Sequence, residues 1–142
     1  MKIVIAAGLA LALAPCWAAL GERAGAVPVG ATATPLSAPG GAAYTRVQRQ
    51  LPSGTQVSEY IDAGGTVFAV SWDGPFLPDL RELLGRHFAV LSQHESGQGR
   101  ATALSVQRPD LVVLSAGRMG SFQGRAWLPP QLPAGFDPGR MP

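Results

Sequence analysis

Two histidines, His87 and His94, are the natural first candidates for metal binding or proton transfer. Seven residues apart on a helix, their backbones would stand about 10 Å apart along its axis, too far to share one ion without further ligands. His87 falls within an apolar stripe and reads as a hydrogen-bonded core histidine, while His94 beside Glu95 reads as a solvated helix end. The serine of Gly120-Ser121-Phe122-Gln123-Gly124 lacks the G-x-S-x-G order and precedes a strand, whereas a nucleophile elbow leads into a helix. Gly117-Arg118-Met119-Gly120 lacks the spacing of a phosphate or dinucleotide loop. Asp73, Asp79 and Glu82 gather carboxylates at a helix start, where the helix dipole favours them without any catalytic role. No catalytic, cofactor-binding or metal-ligating set emerges, so the chain reads as a protein without a cofactor and not as an enzyme. An enzyme would have to work through Asp79, His87 or Arg118.

What remains is a patch of contact-forming side chains. Trp72, Asp73 and Phe76 lie near one strand-to-helix corner with Tyr60 close by, Arg118 lies in a turn, and Arg125 stands beside Trp127. Aromatic and Arg side chains are enriched where partners bind, although in a small domain most aromatics are simply core. Trp72, Asp73, Phe76, Arg118 and Arg125 are therefore the candidate contacts for a partner or ligand.

The periodicity of apolar residues supplies the scaffold. Residues 44–51 alternate and end in the turn chemistry of Pro52-Ser53-Gly54. Residues 55–61 form a second strand, closed by Asp62-Ala63-Gly64-Gly65, whose glycines can take the positive φ of a tight hairpin. In 66–72 the alternation sets Phe68, Val70 and Trp72 against Val67, Ala69 and Ser71. Asp73-Gly74-Pro75-Phe76-Leu77 breaks that period, and Pro78 suits the first turn of a helix. Leu77, Leu80, Leu84, Phe88 and Leu91, joined by Leu83 and His87, then form a helical stripe wide enough to cover a sheet face. Burying four or five such side chains contributes roughly 1.5–3 kcal/mol each. Gly85 costs about 1 kcal/mol relative to Ala in a helix unless a close approach needs its missing side chain. After a loop over 92–100, strands are expected at 102–106, 111–116 and 122–128. The expected fold class is α+β: an antiparallel meander sheet of five to six strands packed by one amphipathic helix, in the order βββαβββ, over residues 44–128.

The flanks read differently. Lys2 followed by the apolar run 3–13 and Pro15-Cys16-Trp17-Ala18 has the form of a signal peptide, residues 1–18, cut between Ala18 and Ala19. The run is shorter than the roughly 20 residues needed to span a bilayer. Leu13-Ala14-Pro15-Cys16 resembles a lipobox, but proline directly before the cysteine argues against lipidation. Cys16, the single cysteine, leaves with the signal peptide, so the exported chain has no disulfide and no thiol chemistry. Residues 19–43, rich in Ala, Gly and Pro and without a period, read as a flexible leader. Pro129, Pro130, Pro133 and Pro138 mark 129–142 as a tail without regular structure.

Charge narrows the partners. Charged residues make up 14% of the chain, and without Lys2 ten Arg face nine acidic residues. There is no run of cations to suggest nucleic acid or an anionic membrane surface. A partner is expected to be another cell-envelope protein or a small apolar ligand, with no nucleic acid and no transmembrane span in the mature chain.

One resemblance adds to this. Trp17-Ala18-Ala19-Leu20-Gly21, Leu51-Pro52-Ser53-Gly54-Thr55 with Val57 and Glu59-Tyr60, Val67-Phe68-Ala69-Val70-Ser71-Trp72, Gly74-Pro75-Phe76-Leu77-Pro78-Asp79-Leu80, Pro109-Asp110-Leu111-Val112-Val113 and Gly124-Arg125-Ala126 together resemble a proteobacterial family known as domain of unknown function 2844. The likeness runs from the signal peptide to about Pro129. It implies an exported protein and transfers no catalytic residue. Members of that family often carry His where Arg118 stands, so a role that needs an imidazole at that hairpin does not carry over.

The sequence thus leads to a periplasmic or secreted, non-enzymatic interaction module. The alternatives are a small-ligand carrier, with a pocket between helix and sheet lined by Trp72, Phe76 and Phe88, and an enzyme of unknown class.

Overall fold

The structure is a computed structural model, and the residues it describes are 18–95 and 103–142. Residues 1–17 of the expected signal peptide 1–18, with Cys16, lie outside the described residues, as do 96–102 and the side chains of His94 and Glu95.

Seven strands form one antiparallel sheet: β1 Thr32–Ser37, β2 Ala43–Gln50, β3 Gln56–Asp62, β4 Val67–Gly74, β5 Ala103–Gln107, β6 Val112–Arg118 and β7 Ser121–Trp127. Their spatial order is β1-β2-β3-β4-β7-β6-β5. The α+β class holds, with two corrections to the expected sheet. The strand count is seven because Thr32–Ser37, within the expected leader, pairs with β2 along its whole length. Backbone hydrogen bonds need no apolar period, and Pro35 is tolerated because β1 is an edge strand. The order is also not a continuous meander. After β4 the chain goes to the far edge and returns, so β7 rather than β5 pairs with β4.

One sheet face carries the helices. Leu80–Leu84 is α1 and Phe88–Glu95 is α2, separated by a 3-10 turn at Gly85–His87. The single helix expected over 78–91 is therefore broken. Gly85 has φ +53°, and a Cβ there would stand 2.7 Å from the Cβ of Ala19, so the break makes room for the chain's own N-terminal segment. That segment is pinned by hydrogen bonds. Leu20 N–H donates to Leu83 C=O (2.9 Å), Gly21 N–H to Val67 C=O (2.8 Å) and Val67 N–H to Glu22 C=O (3.0 Å). Leu20 is wholly buried and joins Val57, Val70, Trp72, Leu84, Leu91 and Val113 in the main core.

The opposite face is covered by the segment after β7. Tyr60, Phe68, Ala69 and Met141 are buried there, with Tyr44, Trp127, Leu132 and Phe136 packed against them. Residues 129–142, expected as a tail without regular structure, hold 3-10 turns at Pro129–Gln131 and Pro138–Arg140. The Phe136 ring meets Phe68 edge-on at 4.9 Å between centroids and Tyr44 at 5.2 Å. A bulge explains why Phe68 lies on this face and not beside Val70 and Trp72. Tyr60 pairs with Ala69 but Ile61 pairs with Val67, so Phe68 is an extra residue that shifts the alternation.

Candidate functional site

The strand-to-helix corner is built from the end of β4. A Cβ on Gly74 would collide with the backbone of Thr55, so the glycine lets the β2–β3 turn press against the corner. Thr55 is wholly buried there. Its hydroxyl donates to Phe76 C=O at 2.6 Å and accepts from Phe76 N–H at 3.2 Å. The next fixed point is Asp79, whose Oδ1 accepts from Arg81 N–H (2.9 Å) and Glu82 N–H (3.3 Å) and so caps α1. Between these anchors Phe76 and Leu77 face solvent, 61% and 47% exposed.

The β6–β7 turn comes to the same end of the sheet, because Gly74 pairs with Phe122 and Phe122 with Gly117. It carries Arg118, exposed, and Met119, 98% exposed. The five candidate contacts therefore separate. Asp73, Phe76 and Arg118 are exposed at one end of the sheet. Trp72 is 1% exposed, its ring lying where a Cβ on Gly124 would be, and its buried Nε1 has no hydrogen-bond partner. Arg125 lies on the opposite face beneath the C-terminal segment. Its Nη1 donates to Gly139 C=O (3.1 Å) and Met141 C=O (3.2 Å), so it holds the chain's own backbone.

Leu77 and Met119 were absent from the sequence-derived set. An apolar side chain at the tip of a glycine-flanked hairpin is a signal that would have found Met119. Thr55 offered none, because its role depends on a contact twenty-one residues away.

A family model described as "protein of unknown function (DUF2844)" matches residues 16–141. The chain belongs to this family. No curated protein and no solved structure matches it.

The DUF2844 match takes in the whole seven-stranded sheet, the N-terminal segment that buries Leu20 and nearly all of the segment that Arg125 holds. Within this DUF2844 chain Asp79, His87 and Arg118 are not brought together. Asp79 is engaged in capping α1. His87 lies at the far end of β7 from Arg118, since a Cβ on Gly21 would touch both His87 Nε2 (3.0 Å) and Leu128 (3.3 Å). A seven-residue strand spans about 20 Å, which separates the two. Burial, aided by Arg86, pushes the His87 pKa down, and its enclosed Nε2 has no hydrogen-bond partner, contrary to the bonded core histidine expected. Of Trp72, Phe76 and Phe88, Trp72 is in the core, Phe76 is in solvent, and Phe88 is half-buried against that core with the Arg81 guanidinium over its ring, 5.2 Å from the centroid.

The helix face holds a buried ion pair, Arg49 Nη2 to Glu59 Oε1 at 3.4 Å. Desolvation raises the Glu59 pKa despite the opposing pull of Arg49, and it lowers that of Arg49. Among the described residues, no group of three or more His, Cys, Asp or Glu could hold a metal ion, and no helix is long and apolar enough to cross a membrane.

Proposed function

We propose that this DUF2844 protein is an exported, non-enzymatic interaction module, periplasmic or secreted, that contacts another cell-envelope protein through the corner end of its sheet. One observation carries the reading: Phe76 and Leu77 expose apolar side chains on a loop whose backbone is fixed by the buried Thr55 hydroxyl. A loop exposed only by disorder would not be anchored from both sides. Rigid apolar anchors bind well because little ordering entropy is lost when a partner covers them. Burying each would contribute roughly 1.5–3 kcal/mol. Met119 and Arg118 extend the surface with a flexible thioether and a cation, both common at contact sites.

The test is photo-crosslinking in the native host, with a benzophenone side chain placed at Phe76, at Met119 and at the exposed Gln107 as control. Discrete adducts are expected from the first two positions, absent from the third, and lost when Leu77→Ser is added. Equal adducts at all three positions, or none at Phe76, would overturn the contact role. Export has its own measurement: N-terminal sequencing of protein from the periplasm or medium should begin at Ala19, and a cytoplasmic chain retaining Met1 would refute it.

A further inference from the structure

A groove of about 310 Å³ lies on the face opposite the helices, between the β1–β2 turn and the segment after β7. Its walls are Tyr44, Arg46 and Tyr60 from the sheet and Phe136 and Arg140 from the segment that crosses it. That volume is at the lower end of the about 300–1,000 Å³ usual for small-molecule sites. Rings and cations form these walls, and Leu36, Pro39 and Met141 are among the aliphatic residues that complete the lining.

The charge balance is uneven. Asp137, the acidic side chain lining the groove, is already engaged: Oδ1 accepts from Gly139 N–H at 2.9 Å, and Oδ2 lies 3.9 Å from Arg140 Nε. Arg46 is half-buried: its guanidinium faces the Tyr60 hydroxyl, while its enclosed Nε has no hydrogen-bond partner. Among the described ion pairs no carboxylate is matched to Arg46. A guanidinium partly withdrawn from water is costly unless an anion balances its charge at the nitrogens that reach the groove. Its planar fork suits a carboxylate, which accepts two parallel hydrogen bonds.

From this groove we infer a binding site for a small aromatic carboxylate, with Arg46 taking the carboxylate and Tyr44, Tyr60 and Phe136 packing around the ring. Arg140, at the solvent edge, adds attraction without fixing geometry. The site is separate from the corner and does not depend on the corner's contact role. Because one wall is the segment after β7, a bound ligand bridges that segment to the sheet and restrains it.

The probe is benzoate, titrated into the purified protein and followed by amide and side-chain NMR. Benzamide and inorganic phosphate serve as comparisons. Benzoate should shift resonances of Tyr44, Arg46, Tyr60 and Phe136 in a saturable way and slow amide exchange at Met141. Benzamide, neutral and of the same shape, should bind at least about tenfold more weakly, the loss expected when a charge-assisted hydrogen bond is removed. Arg46→Gln should weaken benzoate by a similar factor, while Arg108→Gln, an exposed arginine elsewhere, should leave it unchanged. If Arg46→Gln fails to fold, Arg46→Lys decides: it keeps the charge, loses the fork and should still bind severalfold more weakly. The site is refuted if groove resonances do not move, if benzamide or phosphate matches benzoate, or if the folded Arg46 variants bind like the parent.

Discussion

The hydroxyl of Thr55 bonds both backbone groups of Phe76, donating to its carbonyl at 2.6 Å and accepting from its amide at 3.2 Å. One side chain at the end of a hairpin turn thus supplies what a further strand pair would have supplied after β4 leaves the ladder. Thr55→Val keeps the shape and removes the hydroxyl, leaving both groups without that partner. It should cost about 1–3 kcal/mol, measured by urea denaturation, and Thr55→Ser should recover most of the loss.

Trp72 and Phe76, four residues apart, should respond in opposite ways. Trp72 is in the core, so Trp72→Ala should cost about 3–5 kcal/mol, a large part of the 5–15 kcal/mol typical of a whole domain. Phe76→Ala should stay within about 0.5 kcal/mol of the parent, as surface changes do, while abolishing crosslinks at the corner. A substantial loss of stability in Phe76→Ala would make the corner structural.

The segment after β7 should be separable from the sheet. Gly135 has φ +79°, and its Cα hydrogens face the backbone of Gly40, where a Cβ would collide. Gly135→Ala should therefore loosen the segment, and Arg125→Met should do so by removing its two carbonyl contacts. Each is expected to cost about 1–2 kcal/mol. Hydrogen exchange should speed up at Phe136 and Met141 while the amides of β3 and β4 stay protected. Unchanged exchange at Met141 in both variants would contradict the clamp.

The buried Arg49–Glu59 pair predicts a pH dependence with a definite sign. Folding raises the Glu59 pKa above 4.5, so between 4.5 and the raised value the folded chain holds a proton that the unfolded chain releases. The stabilisation from this group is complete below 4.5 and fades as pH rises through the folded value. Glu59→Leu alone, leaving a buried cation, should cost about 3–5 kcal/mol, whereas Arg49→Met with Glu59→Leu should range from neutral to about 4 kcal/mol more stable. The double variant should also lose this pH limb in denaturation midpoints. A double variant as unstable as the single one would mean that the pair holds the fold.

By itself the sequence determined the local elements of this DUF2844 chain. Alternation placed six strands within one or two residues of their observed bounds, and Pro78 and the leucine stripe located the helical stretch, because these signals come from neighbours along the chain; that Asp79 caps a helix beginning at Leu80, leaving Pro78 outside it, came from the structure. It also carried the family, through motifs such as Gly74-Pro75-Phe76. Only the tertiary structure decided which strands meet and what covers each face. β1 arises in an Ala, Thr and Pro stretch with no apolar period, since pairing with β2 uses backbone groups that every sequence possesses. Gly85 breaks the helix because Ala19 needs the space, and Arg125 holds carbonyls fourteen and sixteen residues later. The sequence carries one sign of this: Val67, Phe68, Ala69 and Val70 are apolar in succession, as a strand covered on both faces must be. That run required a second cover for the sheet, but which segment supplies it depends on contacts between residues far apart in sequence, and only folding brings those together.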